Sequence, residues 1–185
     1  MKRRFVLLDR DGTINEEIGH VLRPGELRLV PGALEALREL QDLGLGLVVL
    51  TNQSPIGRGT LTPEGLEAVH DRLRELLAEG GVALDGVEHC PHLPDEGCAC
   101  RKPGTAMVER AARDHGFDPS EAWVVGDHAG DMRLGRAVGA RTILVLSGHG
   151  EEERAAAEPF ADHVAADLRE AASFIRDEVL AGAQP

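Results

Sequence analysis

Four short runs of nearly unbroken apolar, β-prone residues constrain this sequence most: Arg4-Phe5-Val6-Leu7-Leu8, Leu45-Gly46-Leu47-Val48-Val49-Leu50, Ala122-Trp123-Val124-Val125 and Thr142-Ile143-Leu144-Val145-Leu146. A strand that is apolar at every position, rather than at every second one, has to be covered on both faces, as in a parallel sheet flanked by helices. Helical periodicities fill the gaps. Pro31 opens a stripe of Leu34, Leu37, Leu40 and Leu43 that stops at Gly44. Thr62-Pro63, a cap followed by a first-turn proline, leads Leu66, Val69, Leu73, Leu76 and Leu77 up to Gly80-Gly81. Further helices are predicted over 105–115, over 131–138 up to Gly139, and along Leu168, Ala172, Ile175 and Val179, with the acidic run Glu151-Glu152-Glu153 starting a solvated one. Strand and helix in alternation predict an α/β fold: a doubly wound, mainly parallel sheet with right-handed crossovers and its crevice outside the carboxyl ends of the strands.

At 185 residues the chain is long enough for one full core, and a single domain over 1–185 is expected. Its 20 Lys+Arg against 32 Asp+Glu give a formal charge of −12, which repels polyanions and argues against nucleic-acid or anionic-membrane partners. No apolar run approaches the roughly 20 residues of a membrane span, so a cytoplasmic protein is expected, and a monomer. No GxGxxG turn follows a strand and no GxxxxGK[ST] loop occurs, which removes the dinucleotide and P-loop readings. Lysine occurs only at Lys2 and Lys102, so an ammonium at Lys102 reads as a chemical choice.

The chemistry collects where strands end. The first run leads into Asp9-Arg10-Asp11-Gly12-Thr13, the second into Thr51-Asn52, the third into Gly126-Asp127-His128-Ala129-Gly130-Asp131, and Arg101-Lys102 precedes a proline. Structural caps alone do not explain four such clusters at expected strand ends. A carboxylate at Asp9 can attack phosphorus to form an aspartyl phosphate, and a second acid at Asp11 can protonate the departing oxygen and then activate water. Asp9, Asp11 and Asp127 beside a phosphate dianion require a divalent cation with oxygen ligands, for which magnesium is the natural candidate. Thr51 would hold phosphoryl oxygens, Lys102 would oppose the charge developing on them, and Arg101 would tip the site toward anions. His128, at a strand terminus, is a candidate substrate contact.

All three cysteines fall in one window, Cys90-Pro91-His92 followed by Cys98-Ala99-Cys100. Alternate residues of extended backbone face the same way, so Cys90, His92, Cys98 and Cys100 can close a tetrahedral structural zinc site. Free surface thiols or a redox switch are the alternatives, the latter weakened by the absence of a Cys-x-x-Cys form. A metal clip here would brace Arg101 and Lys102. His70 and His115 read as surface or boundary residues, His89 as facing away from the zinc loop, and Trp123 and the four Phe as core.

These residues resemble the haloacid dehalogenase superfamily of phosphohydrolases. Asp9-Arg10-Asp11-Gly12-Thr13, Thr51, Lys102 and Gly126 to Asp131 match its four motifs in order. With Thr51-Asn52-Gln53-Ser54, Cys-x-His, Cys-x-Cys and Arg101-Lys102-Pro103, the chain looks like the branch that holds D-glycero-D-manno-heptose-1,7-bisphosphate 7-phosphatases and histidinol phosphatases. The resemblance implies Asp9 as nucleophile, Asp11 as proton donor, Thr51 and Lys102 as phosphoryl stabilisers and Arg101 in substrate recognition. It implies magnesium on Asp9, the main-chain carbonyl of Asp11 and Asp127. It places Gly19, His20, Asn52, Gln53, Ser54 and His128 at the substrate, although His128 stands where heptose enzymes commonly have Lys, Pro55 where Gly is usual, and only Gly19 is kept in its loop. With residues 14–44 and 53–100 taken up by helices, a strand and the zinc loop, no cap domain is expected. The implied substrate is a small phosphorylated sugar, the heptose bisphosphate ahead of histidinol phosphate. A phospho-accepting signalling domain, which also combines Asp, Thr, Lys and magnesium, is the alternative of another class.

Overall fold

The computed structural model describes residues 2–182. In chain order its strands are β1 (Phe5–Leu8), β2 (Gly46–Asn52), β3 (Gly86–Cys90), β4 (Trp123–Gly126), β5 (Arg141–Val145) and β6 (His163–Ala165). Its helices are α1 (Ala33–Asp42), the single turn α2 (Ser54–Gly57), α3 (Pro63–Glu79), α4 (Ala106–His115), α5 (Ala129–Val138), α6 (Gly150–Ala157) and α7 (Leu168–Ala181). The strands form one sheet in the order β3-β2-β1-β4-β5-β6, every pair parallel. The chain reverses direction across the sheet on either side of β1, which opens a crevice at the carboxyl ends of β1 and β4.

Both faces of the central strands are buried, as their unbroken apolar character requires. Val6 and Leu8 of β1 pack with Leu37 and Leu40 of α1, Leu73 and Leu77 of α3 and Ile175 of α7. Phe5 and Leu7, on the other face, pack with Met107, Val108 and Ala111 of α4 and Leu134 of α5. Full burial of each such side chain contributes roughly 1.5–3 kcal/mol, so this double layer dominates the stability. Trp123 belongs to the core and its Nε1 donates to Glu178 at 2.7 Å. Phe5 and Phe117 are buried as expected, whereas Phe160 and Phe174 are half-buried.

The local signals act as predicted at α3, where the Thr62 hydroxyl accepts from the Gly65 N–H at 3.0 Å. Helix α5 begins two residues earlier than its apolar period indicates, because His128 caps it. The His128 ring accepts from the Gly130 N–H at 3.3 Å, and Asp131 reaches back to accept from the His128 N–H at 3.2 Å. The edge strands β3 and β6 are half-buried, short and partly polar, so neither presents the continuous apolar run that marks the central strands. The connection after β1 carries α1, and that after β2 carries the single turn α2 and the long helix α3. Among the described residues no separate cap folds over the crevice. Among the described residues no helix is long and apolar enough to cross a membrane.

Candidate active site

The ends of β1 and β4 bring Asp9, Asp127 and Asp131 together, with one carboxylate oxygen from each within 4.8 Å of the others. Lys102 Nζ lies between them, 2.7 Å from Asp9 Oδ1 and 2.6 Å from Asp131 Oδ1, and it also donates to the Leu50 carbonyl at 2.9 Å. Three acids against one ammonium leave an excess of two negative charges in a nearly dry place. Burial, reinforced by Asp131 and Asp11 against the pull of Lys102, pushes the Asp9 carboxyl up to about 7. Burial and the charges of Asp9 and Asp131 push Asp127 up to about 8. A divalent cation with a taste for carboxylate oxygens fits this donor set and would restore both groups to their ionised form.

The backbone is shaped around Asp127. Gly12 lies at φ +81° and Gly148 at φ +56°, and a Cβ on either would collide with the Asp127 carboxylate. The His149 N–H donates to Asp127 Oδ2 at 2.7 Å, and the Ser147 hydroxyl ties the loop after β5 to the Gly12 carbonyl at 2.7 Å.

Asp11 lines the same cavity but stands outside this cluster. Its carboxylate accepts from Arg10 Nε and Nη2, from Asn15 Nδ2 at 2.9 Å and from Gln53 Nε2 at 3.0 Å. These contacts fix the orientation of the side chain, and the acid that joins Asp9 and Asp127 in the cluster is Asp131. Gln53 also donates to the Thr51 hydroxyl at 2.8 Å. Gln53 is 2% exposed and does not line the cavity, so the expected substrate contact is instead a brace between Thr51 and Asp11. Arg10, between the two aspartates, is fully buried. Strand alternation alone sends it to the far side of Asp9, but the turn at Gly12 brings its guanidinium back under Asp11.

His70 corrects the surface expectation. It is 1% exposed, its Nε2 finds no hydrogen-bond partner among the described residues, and its ring lies 5.9 Å from that of His89. Burial, with Arg10 and His89 close by, pushes the imidazole down to about 3. The folded protein keeps His70 neutral while the unfolded chain takes a proton below about 6.5, so this residue's contribution is present above pH 6.5 and declines as pH falls toward 3. Between pH 7.5 and 5.5 it should cost the wild type about 1 kcal/mol that His70→Leu does not lose. Urea midpoints at the two pH values check this, and equal losses in both proteins would refute it.

These groups open into a cavity of about 590 Å³, a size typical of small-molecule sites. Asp9, Asp11, Thr51, Asn52, Ser54, Arg101, Lys102, Asp127 and His128 all line it, as do Gly19 and His20 of the loop after β1. Asn52 Oδ1 accepts the Lys102 N–H at 3.1 Å, which orients the lysine backbone. The far wall comes from α5, α6 and the loop after β5, through Arg133, Glu153, Ala156 and His149. None of these four is marked as a site residue by its sequence context. Asp131 carries one detectable signal, four residues after Asp127 at a strand-to-helix turn. The others sit on amphipathic or acidic stretches with nothing to distinguish them from solvated surface.

Cys90, His92, Cys98 and Cys100 form a second cluster. Sulfur separations are 3.0 Å for Cys90–Cys100, 3.6 Å for Cys90–Cys98 and 3.7 Å for Cys98–Cys100, and His92 Nδ1 lies 3.2 Å from Cys100 Sγ and 3.5 Å from Cys90 Sγ. Zinc–sulfur bonds of about 2.3 Å at tetrahedral angles space sulfurs by roughly 3.8 Å, so two of the three edges nearly match and a small opening at Cys90–Cys100 completes the shell. Burial and the hydrogen bond with Cys100 push the Cys90 thiol up to about 12. A metal would hold it as thiolate. The loop runs on directly into Arg101 and Lys102.

An α/β sheet of this order, with Asp9, Thr51, Lys102 and Asp127 at its strand ends, defines a haloacid dehalogenase-like hydrolase, and the HAD-hydrolase-like family model matches residues 99–171. The chain is 42% identical to the D-glycero-β-D-manno-heptose-1,7-bisphosphate 7-phosphatase of Pseudomonas aeruginosa, over 81% of this chain and 85% of that one. It is 39% identical to the D-glycero-D-manno-heptose-1,7-bisphosphate 7-phosphatase of Thermosynechococcus vestitus, over 95% and 96% of the two chains. The crystal structure of the D,D-heptose 1,7-bisphosphate phosphatase from B. bronchiseptica, complexed with magnesium and phosphate, superposes with a TM-score of 0.88 at 34% identity, covering 95% of this chain and 99% of that one. The chain belongs to the heptose-1,7-bisphosphate 7-phosphatase family.

Proposed function

We propose that this protein is a phosphomonoesterase that removes the 7-phosphate of D-glycero-D-manno-heptose 1,7-bisphosphate through an aspartyl-phosphate intermediate. The observation that carries the reading is Asp9, a partly exposed carboxylate whose Oδ1 takes both the Arg10 N–H, at 2.8 Å, and Lys102, while its Oδ2 takes no donor among the described residues. A carboxylate oriented in this way can present an oxygen to phosphorus without rotating. As the Asp9–phosphorus bond forms, the bond to the sugar oxygen breaks, and Asp11 supplies that oxygen with a proton. Asp11, then ionised and held by Arg10, Asn15 and Gln53, takes a proton from water, whose oxygen displaces Asp9 from phosphorus.

Thr51, oriented by Gln53, and Lys102 hold the phosphoryl oxygens, and Arg101 adds a second cation beside Lys102. Magnesium, held by Asp9 and Asp127 with the Asp11 carbonyl, would neutralise the charge that these acids share with the phosphoryl group. Zinc in the cysteine cluster would brace the loop that carries Arg101 and Lys102. Three thiols kept free for a metal fit a reducing compartment such as the cytoplasm.

Initial rates on the heptose bisphosphate and on histidinol phosphate, side by side, test the substrate. We expect kcat/KM to favour the bisphosphate by at least about 100-fold, since a site with polar groups placed for a sugar phosphate leaves them unpaired against an imidazole. Preference for histidinol phosphate would overturn the choice while leaving the phosphatase chemistry in place.

A further inference from the structure

The cavity is much larger than one phosphoryl group needs, and its two ends differ in how their cations are used. At the strand ends Lys102 is committed to Asp9 and Asp131, Arg10 is buried on Asp11, and Arg101 Nη1 donates to the His92 carbonyl at 3.4 Å. On the far wall His128 Nε2 faces Glu153 at 3.5 Å and His149 Nε2 faces Glu17 at 3.8 Å. Arg133, one turn into α5, lines the same cavity, yet among the described residues it joins no ion pair and donates no side-chain hydrogen bond. Its guanidinium carbon lies 4.9 Å from the centre of the Phe160 ring.

That seat has a physical consequence. A ring against the face of a guanidinium limits the rotamers of a long side chain while leaving the N–H edges free for an anion. Glu153, which lines the same wall, is already engaged: its Oε2 accepts from the Ala129 N–H at 3.3 Å, and Oε1 faces His128. A substrate whose scissile phosphate sits on Asp9 can extend from the strand ends across the cavity toward α5 and α6, which line its far wall. A second phosphate at its other end would meet an unpaired, aromatic-backed guanidinium.

We propose that Arg133, seated on Phe160, is a specificity-determining residue that binds the non-scissile phosphate of the bisphosphate. The inference rests on the bisphosphate reading above and adds to it the residue that recognises the remote group. It also explains how a chain with a charge of −12 accepts a substrate with two phosphates: each phosphate meets its own local cation.

Steady-state kinetics of the wild type, Arg133→Ala, Arg133→Lys and Phe160→Leu test this on three substrates: heptose 1,7-bisphosphate, heptose 7-phosphate and p-nitrophenyl phosphate. Arg133→Ala should raise KM for the bisphosphate about 10- to 100-fold with kcat within about threefold, the loss typical of one charge-assisted hydrogen-bonding group. The two monophosphates should be handled as by the wild type. Arg133→Lys should recover part of the loss, and Phe160→Leu, which removes the ring, should raise KM by roughly threefold. An unchanged KM for the bisphosphate in Arg133→Ala, or an equal rise on all three substrates, overturns the role of Arg133. A wild type that takes the bisphosphate no better than heptose 7-phosphate overturns the bisphosphate reading itself.

Discussion

Asp9→Asn should abolish phosphate release, with kcat lowered by about 10³-fold or more, because an amide cannot form the covalent bond to phosphorus that divides the reaction into two steps. The substitution keeps the shape of the side chain and an oxygen for the Arg10 N–H and Lys102, so loss of activity does not have to come from loss of fold. Electrostatics sharpen the distinction. Burial raises the Asp9 pKa from 3.8 to about 7 in the protein without a cation. The folded state then binds the Asp9 proton more tightly than the unfolded chain, so stability declines as pH rises from about 4 through 7. Asn removes that dependence, and metal-free Asp9→Asn should melt at or above the wild-type temperature at pH 8. Phosphate release measured beside thermal melting reads both effects. Activity surviving in Asp9→Asn would sink the aspartyl-phosphate route, and a stable phosphorylated Asp9 in the wild type without turnover would favour the signalling-domain alternative.

Cys100→Ser is expected to have the second largest effect, although Cys100 touches no reacting atom. Its sulfur contacts Cys90, Cys98 and His92, and losing one of the four ligands, a thiolate, should bring zinc from about one per chain to well below that. The loop from Cys90 to Pro103 would lose its cross-link. Lys102, which owes its place to the Asn52–Lys102 backbone contact and to this loop, would be less well positioned against Asp9. We expect a melting temperature lower by roughly 10 °C, as for a few kcal/mol lost from a domain of this size. We expect kcat/KM lower by about 10- to 100-fold, not restored by added magnesium. Metal analysis of undisturbed wild-type protein is the decisive companion measurement: zinc well below one per chain would refute the clip and return the cysteines to the free-thiol reading.

These two experiments probe features that were legible at different depths. Asp9, Thr51 and Asp127 are legible as one site because each ends or follows an apolar strand, and parallel strands deliver their carboxyl ends to one edge of the sheet; Lys102, in the loop after β3, is legible from the scarcity of lysine and its Arg-Lys-Pro setting. The cysteine cluster was legible from its spacing alone, since alternating residues on two extended segments present ligands on one side. Gln53 was read as a substrate contact and His70 as surface. Both are buried, and in each case the deciding fact is which polar groups lie across from them: Thr51 and Asp11 for Gln53, Arg10 and His89 for His70.

The far wall lay beyond sequence reasoning for a similar cause. Arg133, Glu153 and His149 occupy stretches that look like ordinary solvated helix or loop, and only the packing of α5 and α6 beside the β4 end turns them toward Asp9. Taken by itself, the sequence determined the four central strands, the parallel α/β class and the candidate reacting groups, because those depend on local periodicity and on residue type at strand ends. Which acid joins Asp9 and Asp127, where Asp11 points, and which cation is left free for a second phosphate were decided only by the tertiary structure. Those are questions of distance between charges remote in the chain, and nothing in a linear pattern sets such distances.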